Sequence, residues 1–402
     1  MTIAMDRVSN DSHEKFLSAG VSLIAKRGID NITVADISRE SGYTRATFYS
    51  YFGDLDGLFA DIWMAHGHRW LDAMAHDSVP YSSDEDKLKC NALLEIFIAC
   101  KRKPSVQEVV FPTVEKWWRE STGGNKVSET KQAWILAASI GVVTSKHLAP
   151  AVGDVGDIIS LLRKMPVDQE RFAGNHLRSL TEAQLESPAQ SSGSDEDKIM
   201  ASTIEVVAIA GVADASMTRI ARNLQVSTGS VYPRFRNIDA VISESFSWSI
   251  ERIVSDNTAA YFATSGNVDS YASVIAGSLS DSRKPWRNFR LEMYLASRAR
   301  ESLSKKMIPG LEQSDAILAK FVLKNGIPER YVDKVVGLMH ALGIGFSVLL
   351  NAGIDVKSIE HRLPTRFLVS ALTQGSESDA SSARTDLQVV GGRKSAASVA
   401  YN

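Results

Sequence analysis

The chain repeats itself, and this repeat constrains its fold more than any other feature of the sequence. Residues 32–59 align without a gap with residues 215–242, at an offset of 183 positions. Two further segments, 93–115 and 290–312, align at an offset of 197. Because both matches keep the same order with little drift, they predict that a two-part unit occurs twice. A length of 402 residues also exceeds the usual size of one hydrophobic core.

Composition marks where the two units join and where the second one ends. The residues between them are polar, rich in serine and acids, and typical of a linker, and the last residues have the same character and are predicted to be disordered. The predicted segments are a first head at 1–64, a first helical domain at 65–180, a linker at 181–198, a second head at 199–247, a second helical domain at 248–374 and a tail at 375–402.

Apolar residues recur with helical spacing along almost the whole chain, and long strand-like alternation is absent. Thr33 and Asp36 form a capping-box pattern, which is typical of a helix start. The predicted fold class is therefore all-α.

Residues 33–52 contain the parts of a helix-turn-helix, two short amphipathic helices joined by a tight turn. The first helix is predicted to end before Gly42, where a positive φ is favoured, and Thr44 is predicted to cap the second. Phe48 and Phe52 are expected to face the core. The outer face of the second helix then carries Arg45, Thr47, Tyr49 and Tyr51.

In the second head, Ser227 is the predicted cap of the recognition helix, and the outer face of that helix carries residues similar to those of the first head. From Arg219 to Arg236 the second head has four arginines and no acid, so it is electrostatically the more favourable head. Arginine binds guanine edges, threonine contacts bases, and tyrosine hydroxyls reach phosphates. Both heads are therefore predicted to bind double-stranded DNA. The residues of this second face are Thr228, Ser230, Tyr232 and Arg234.

The stretch TVADISRESGYTRATFYSYFGDLDGLF, after a helix ending AKRG, resembles the N-terminal DNA-binding domain of TetR-family regulators. The resemblance covers about residues 13–64, is weaker over 199–247, and is only architectural elsewhere. It implies three-helix heads, each followed by a helical domain that dimerises and releases DNA when a small molecule binds. The predicted DNA-binding residues are Thr33, Thr44, Arg45, Thr47, Tyr49, Tyr51, Ser216, Thr228, Ser230, Tyr232 and Arg234.

Several positions depart from the family pattern. Leu55 and Ile238 stand where the family usually has a phosphate-contacting lysine, and Gln225 replaces the turn glycine of the second head. Pro233 interrupts the second recognition helix near its end, where the loss of one amide is less costly. An alternative function is therefore a sensor or interaction protein in which one or both heads no longer bind DNA.

Small residues recur every four positions in one helix of each half, a pattern that lets helix backbones approach closely. The resemblance implies that these helices join subunits, so we predict a covalent pseudo-dimer whose halves pair within the chain, with further homodimerisation possible. The alternative is that each stripe packs within its own domain. The stripes are Ala133, Ala137 and Gly141 in the first half and Gly337, Ala341 and Gly345 in the second.

The stretch between Lys334 and Asp355 is uncharged and long enough to span a membrane, but it contains His340 and Asn351. A buried interface helix is the favoured interpretation, and no membrane contact is expected. The chain has no basic stretch leading into an apolar run at its start, so no signal peptide is expected. Together with two cysteines expected to be buried and reduced, this predicts a cytoplasmic protein.

Aromatic residues are the candidates for a pocket that binds an unknown small-molecule effector, with ordinary core packing as the alternative. No phosphate loop, metal-spaced cluster or nucleophile motif is present, so neither a cofactor nor an enzymatic activity is expected. A net charge of −2 argues against non-specific coating of nucleic acid. The predicted pocket residues are Trp117, Trp134, Phe289 and Tyr294.

Overall fold

The computed structural model of the protein describes residues 2–76, 83–167, 193–263 and 266–373. Every regular element within these ranges is a helix, which confirms the all-α prediction. The predicted tail at 375–402 lies outside the described residues. The predicted linker at 181–198 is described only from residue 193.

The first half contains eight α-helices within its described residues, and the first three form the first head. The predicted capping box is present, because Thr33 accepts the amide of Asp36 and the Asp36 carboxylate accepts the amide of Thr33. Gly42 ends the second helix with a φ of 77°. The helices are α1 (Thr2–Arg27), α2 (Val34–Ser41), α3 (Arg45–Phe52), α4 (Leu55–His76), α5 (Asp84–Ala99), α6 (Pro104–Thr122), α7 (Lys126–Ser145) and α8 (Gly156–Arg163).

The second half has a similar order of helices. It begins earlier than predicted, because Ser194 caps a helix that starts at Asp195, so residues 195–198 of the predicted linker are helical. The helices are α9 (Asp195–Ala210), α10 (Met217–Asn223), α11 (Ile238–Ala263), α12 (Val268–Ser278), α13 (Lys284–Ala299), α14 (Glu301–Lys324) and α15 (Glu329–Asn351), and a further helix spans 362–373.

Helix α12 distinguishes the two halves. In the second half it lies between α11 and α13, and Asn267 caps it through the amide of Ser270. In the described part of the first half, α4 is followed directly in order by α5, with no such helix. The helical domain of the second half therefore contains one helix more at this position than the described part of the first half.

Helices α7 and α15 pack against each other at the centre of the molecule. A side chain at Gly141 would overlap the backbone carbonyl of Ala341, and one at Gly345 would overlap that of Ala137. All four residues are buried, as is Ala133. The backbones thus meet in a close contact that requires residues without larger side chains.

Gly337 lies elsewhere than this helix contact. A Cβ atom at Gly337 would be 2.6 Å from the carbonyl oxygen of Ala151, in the short 3-10 segment Pro150–Asp154. The contacts along α7 and α15 run in opposite directions, so the register that pairs the other glycines places Gly337 opposite Ser145, the last residue of α7. Gly337 therefore also packs closely against the first half, through the 3-10 segment rather than through α7.

A second contact between the halves consists of buried ion pairs. Lys101 lies 3.3 Å from Glu292, and Arg298 lies 3.7 Å from Glu95. The two glutamates are 1% and 2% exposed, and each buried carboxyl group lies next to a basic residue of the other half. Glu95 also accepts a hydrogen bond from the amide of Ile29 in its own half at 2.7 Å. Arg102 extends the network by binding both Glu292 and Asp30.

Helix α15 is long and apolar enough to cross a membrane when judged by length and composition alone. In the fold, 67% of its most apolar stretch is buried inside the protein. This burial is what the sequence predicted for an interface helix.

Candidate functional site

Helix α3 of the first head presents a polar face to solvent and an aromatic face to the core. Phe48 and Phe52 are 0% and 8% exposed and pack edge-on against Phe16 of α1. On the opposite side Arg45 is exposed and Tyr49 is 54% exposed. The aromatic anchor therefore fixes the helix while these two side chains remain accessible.

Three threonines of the first head lie at helix starts. The Thr44 hydroxyl accepts a hydrogen bond from the backbone N–H of Thr47 at 3.1 Å and so caps α3. The hydroxyl oxygens of Thr44 and Thr47 are 2.9 Å apart. Thr33 is exposed and donates to Asp36 at 2.6 Å. Thr33 and Thr44 therefore cap the N-termini of α2 and α3, and both side chains still reach the surface.

Tyr51 is a correction to the predicted DNA-facing set. It is half-buried between α3 and α1, its ring contacts Phe16, and its hydroxyl lies 2.6 Å from that of Ser12. One turn from Phe48, it falls beside the buried stripe rather than on the outer face. Tyr51 therefore fastens α3 to α1.

The second head lacks the predicted recognition α-helix in residues 227–235. Thr228–Ser230 form one turn of 3-10 helix, followed by turns. Pro233 has no amide N–H group to donate, and it disfavours a helical conformation of the residue before it. Gly229 adds backbone flexibility, so both residues oppose an α-helix here. The Ser227 side chain makes no cap hydrogen bond to the backbone. The predicted helix and its cap are therefore wrong.

The predicted residues of this segment differ in accessibility. Tyr232 is 55% exposed and Ser230 is exposed, whereas Thr228 is half-buried. The hydroxyl oxygens of Ser230 and Ser227 are 3.0 Å apart. Arg234 donates to the Ser230 carbonyl at 2.9 Å and to Asp195 at 2.7 Å. Arg234 is thus tied to the protein itself.

The other arginines of the second head remain at its surface. Arg219, Arg222 and Arg236 are exposed and form no ion pair with any carboxylate among the described residues. Ser216, a predicted DNA-facing residue, caps α10 by accepting the amide of Arg219 at 3.3 Å. The positive charge of this head therefore lies on α10 as well as on the turn segment.

The turns of the two heads adopt the same backbone region with different residues. Gly42 has a φ of 77°, and Gln225 has a φ of 59°, a conformation that is unfavourable for a residue with a side chain. Leu55 and Ile238 are the first residues of α4 and α11, and both pack against the core rather than projecting a charge.

The four predicted pocket aromatics do not surround one common cavity. Trp117 is packed in the first half and donates to Asp72 at 2.7 Å, and Phe289 is fully buried against Phe246. Trp134 borders a small apolar cavity, and Tyr294 borders a larger one. Trp117 and Phe289 line neither of these two cavities, because large aromatic residues fill a core unless smaller neighbours leave space.

The larger cavity lies in the second half and has a volume of about 150 Å³. It is bordered by α11, α12, α13, α14 and α15. Three arginines line it, and sequence reasoning missed them. Their spacing is the signal, since positions 283, 287 and 290 fall on one face of a helix. They are Arg283, Arg287 and Arg290.

No group of three or more histidine, cysteine, aspartate or glutamate side chains that suits a metal ion occurs among the described residues. Cys90 and Cys100 are free and buried. Burial raises the pKa of the Cys100 thiol to about 12, so it stays protonated.

Comparison with known proteins concerns the first head. Residues 16–62 match the family model of bacterial regulatory proteins, tetR family. Two proteins of Bacillus subtilis (strain 168) are similar, the uncharacterized HTH-type transcriptional regulators YvdT, 31% identical over 58 residues, and YwcC, 44% identical over 43 residues. The matches span 14% and 11% of this chain and 30% and 19% of the relatives. Residues 16–62 are therefore a TetR-type N-terminal domain.

Proposed function

We propose that this protein is a transcriptional regulator that binds duplex DNA through the first head. The observation that carries the proposal is the exposed pair Arg45 and Tyr49 on α3, within the segment that matches TetR-type domains. A guanidinium group binds a guanine edge, and a tyrosine hydroxyl binds a phosphate. No ion pair within the described residues occupies Arg45, so its charge is available to DNA.

We further propose that one chain acts as a pseudo-dimer of two duplicated units. The contacts between the halves are reciprocal, which is the property of a twofold interface. At the offset of 197, Lys101 and Glu95 correspond to Arg298 and Glu292, so each half supplies a glutamate and a basic residue at corresponding positions. This exchange supports a duplication more directly than sequence identity does.

The helix contact supports the same symmetry. Ala137 and Gly141 correspond to Ala341 and Gly345 at an offset of 204. The glycine of each half faces the alanine of the other. A contact that maps onto itself when the halves are exchanged is expected for a fused dimer.

The heads of this pseudo-dimer are unlike, so its operator is expected to contain two unlike half-sites about one DNA turn apart. The first head offers a regular recognition helix, and the second offers a turn segment with Tyr232 beside exposed arginines. A ligand-responsive repressor is the proposed mode of action. Its support is that α11 begins in the second head and then lines the larger cavity.

Selection of bound fragments from genomic DNA, followed by footprinting, tests this function. We expect one protected site with two dissimilar halves. Replacing Arg45 by Ala should weaken specific binding by about 1–3 kcal/mol and relax base preference in one half-site. Arg119→Ala is the matched control, because Arg119 is exposed on α6 away from both heads. A perfect inverted repeat, or unchanged affinity of the Arg45 variant, contradicts the proposal.

The second candidate function is a regulator or sensor in which only one head binds DNA. The missing recognition helix at 227–235 favours it. The slope of log affinity against log salt separates the two functions, because each phosphate contact adds about 0.9 to the slope. A Tyr232→Ala, Arg219→Ala variant lowers the slope if both heads bind and leaves it unchanged if only the first head does.

A further inference from the structure

Two guanidinium groups in the larger cavity form no ion pair within the described residues, although the carboxylate of Asp281, which binds Lys357 at 2.6 Å, attracts Arg287 from a longer distance. Arg287 is 6% exposed, and Arg290 also lines the cavity. Neither forms an ion pair with a carboxylate of the described residues, and the Nε atom of each has no hydrogen-bond acceptor. The carboxylate of Asp256 binds Arg283 at 2.7 Å instead. A buried charge without a counter-charge is unfavourable, so this arrangement calls for an anion.

The two side chains are nevertheless held in place. Arg287 donates to the carbonyl oxygens of Ser278 at 2.9 Å and Ser280 at 2.6 Å, and Arg290 donates to that of Gly343 at 2.6 Å. A guanidinium group has five N–H donors, so both groups keep donors for a ligand. Burial lowers the pKa of Arg287 to about 10, so Arg287 is protonated at neutral pH, and burial also lowers the pKa of Arg290.

The rest of the cavity is largely apolar. Ile253, Ile275 and Leu311 line it together with the aromatic rings of Tyr271 and Phe321. Its volume of about 150 Å³ equals that of an engineered protein cavity that holds benzene. The space therefore suits an apolar body of about one aromatic ring beside the two positive charges.

The first half fills the corresponding space. At the offsets of the repeat, Ile253 corresponds to Trp70 and Ser314 to Trp117, and both tryptophans are 2% exposed in a packed core. Arg290 corresponds to Leu93, which is also buried. The second half thus has smaller side chains and a positive charge where the first half has bulk and no charge.

We propose that this cavity binds a small organic anion, a carboxylate or phosphate carried on an apolar body of about one ring. Arg287 and Arg290 bind the anionic group, and the apolar residues of α11, α12 and α14 hold the body. The regulatory meaning rests on the proposed function, since the anion is then the effector that acts through α11. The binding itself does not depend on DNA.

Calorimetric titration of the full chain without DNA tests the proposal. The probes are benzoate and phenyl phosphate, with benzyl alcohol and benzylamine as neutral and cationic controls. We expect at least one anion to bind and both controls to bind at least tenfold more weakly. Arg290→Leu, which introduces the first-half residue, should weaken anion binding at least tenfold, and Arg119→Leu should leave it unchanged.

A second variant guards against misfolding of the first. Ser314→Trp keeps every arginine and fills the cavity as Trp117 fills the first half, so it should also abolish anion binding. Circular dichroism verifies that each variant is folded. Equal binding of benzyl alcohol, no binding of either anion, or full affinity in both variants overturns the proposal. Loss of DNA binding alone would contradict the regulator function and leave this measurement intact.

Discussion

Glu95 is the residue whose protonation links stability to pH. Burial raises its pKa to about 7, although Arg298 and the amide of Ile29 favour the ionised form. In the unfolded chain a glutamate titrates near pH 4.3, so the folded protein binds the extra proton between these values. The stability contributed by this protonated carboxyl is therefore present at low pH and is lost as the pH rises towards 7.

Replacing Glu95 by Gln removes this titration while keeping the shape of the side chain. We expect the free energy of unfolding of the wild type to fall by about 2 kcal/mol more than that of the variant between pH 4.5 and 7.5. Urea unfolding at both pH values measures it. Glu85→Gln, at an exposed position, is the control. Parallel pH profiles for wild type and E95Q would show that the folded-state pKa is ordinary.

Gln225 stores strain in the turn of the second head. Its φ of 59° is a backbone region that costs a non-glycine residue about 1 kcal/mol. Gln225→Gly should therefore stabilise this head by about that amount, read as slower amide hydrogen exchange in α10. Gln225→Ala keeps the unfavourable backbone conformation, so it should not slow amide hydrogen exchange in α10. The account of the turn is wrong if both variants behave alike.

At the level of elements, the missing recognition helix of the second head has two local causes. In the interior of a helix, alanine is more favourable than proline by about 3 kcal/mol and more favourable than glycine by about 1 kcal/mol. A Gly229→Ala, Pro233→Ala variant is therefore expected to extend a helix over residues 228–235. A Cβ atom at Gly229 would have no contact nearer than 3.6 Å, so there is space for it.

Amide hydrogen exchange of residues 230–236 measures this change. We expect at least tenfold slower exchange in the double variant than in the wild type. The matched control is Gly310→Ala in α14, which adds a helix-favouring methyl group far from this segment. Unchanged exchange would mean that packing of Val231 and Phe235, not local propensity, determines the turn.

The sequence predicted helices whose signals are local. The Thr33–Asp36 capping box and the buried pair Phe48 and Phe52 follow from spacing alone, and both are present. The cavity could not be predicted, because it depends on what α12 and α13 leave unfilled. The sequence predicts that Pro233 interrupts a recognition helix near its end, whereas residues 228–230 form only one turn of 3-10 helix.

For the whole molecule, the close contact of α7 with α15 is one of the two contacts that hold the halves against each other. Gly345→Ala would place a methyl group on the backbone carbonyl of Ala137 and separate the helices. Overpacking of this kind costs about 1–3 kcal/mol or more. Denaturant unfolding should show that loss, whereas Gly310→Ala, with nothing within 4 Å, should be neutral or slightly stabilising.

As a pseudo-dimer, a single chain is proposed to occupy one operator through two unlike heads. The mass of the complex with a footprinted operator, measured by sedimentation equilibrium at a protein excess, tests it most directly. We predict one chain per operator, with protection of both half-sites. Two chains per operator, each bound through its first head alone, would contradict the claim.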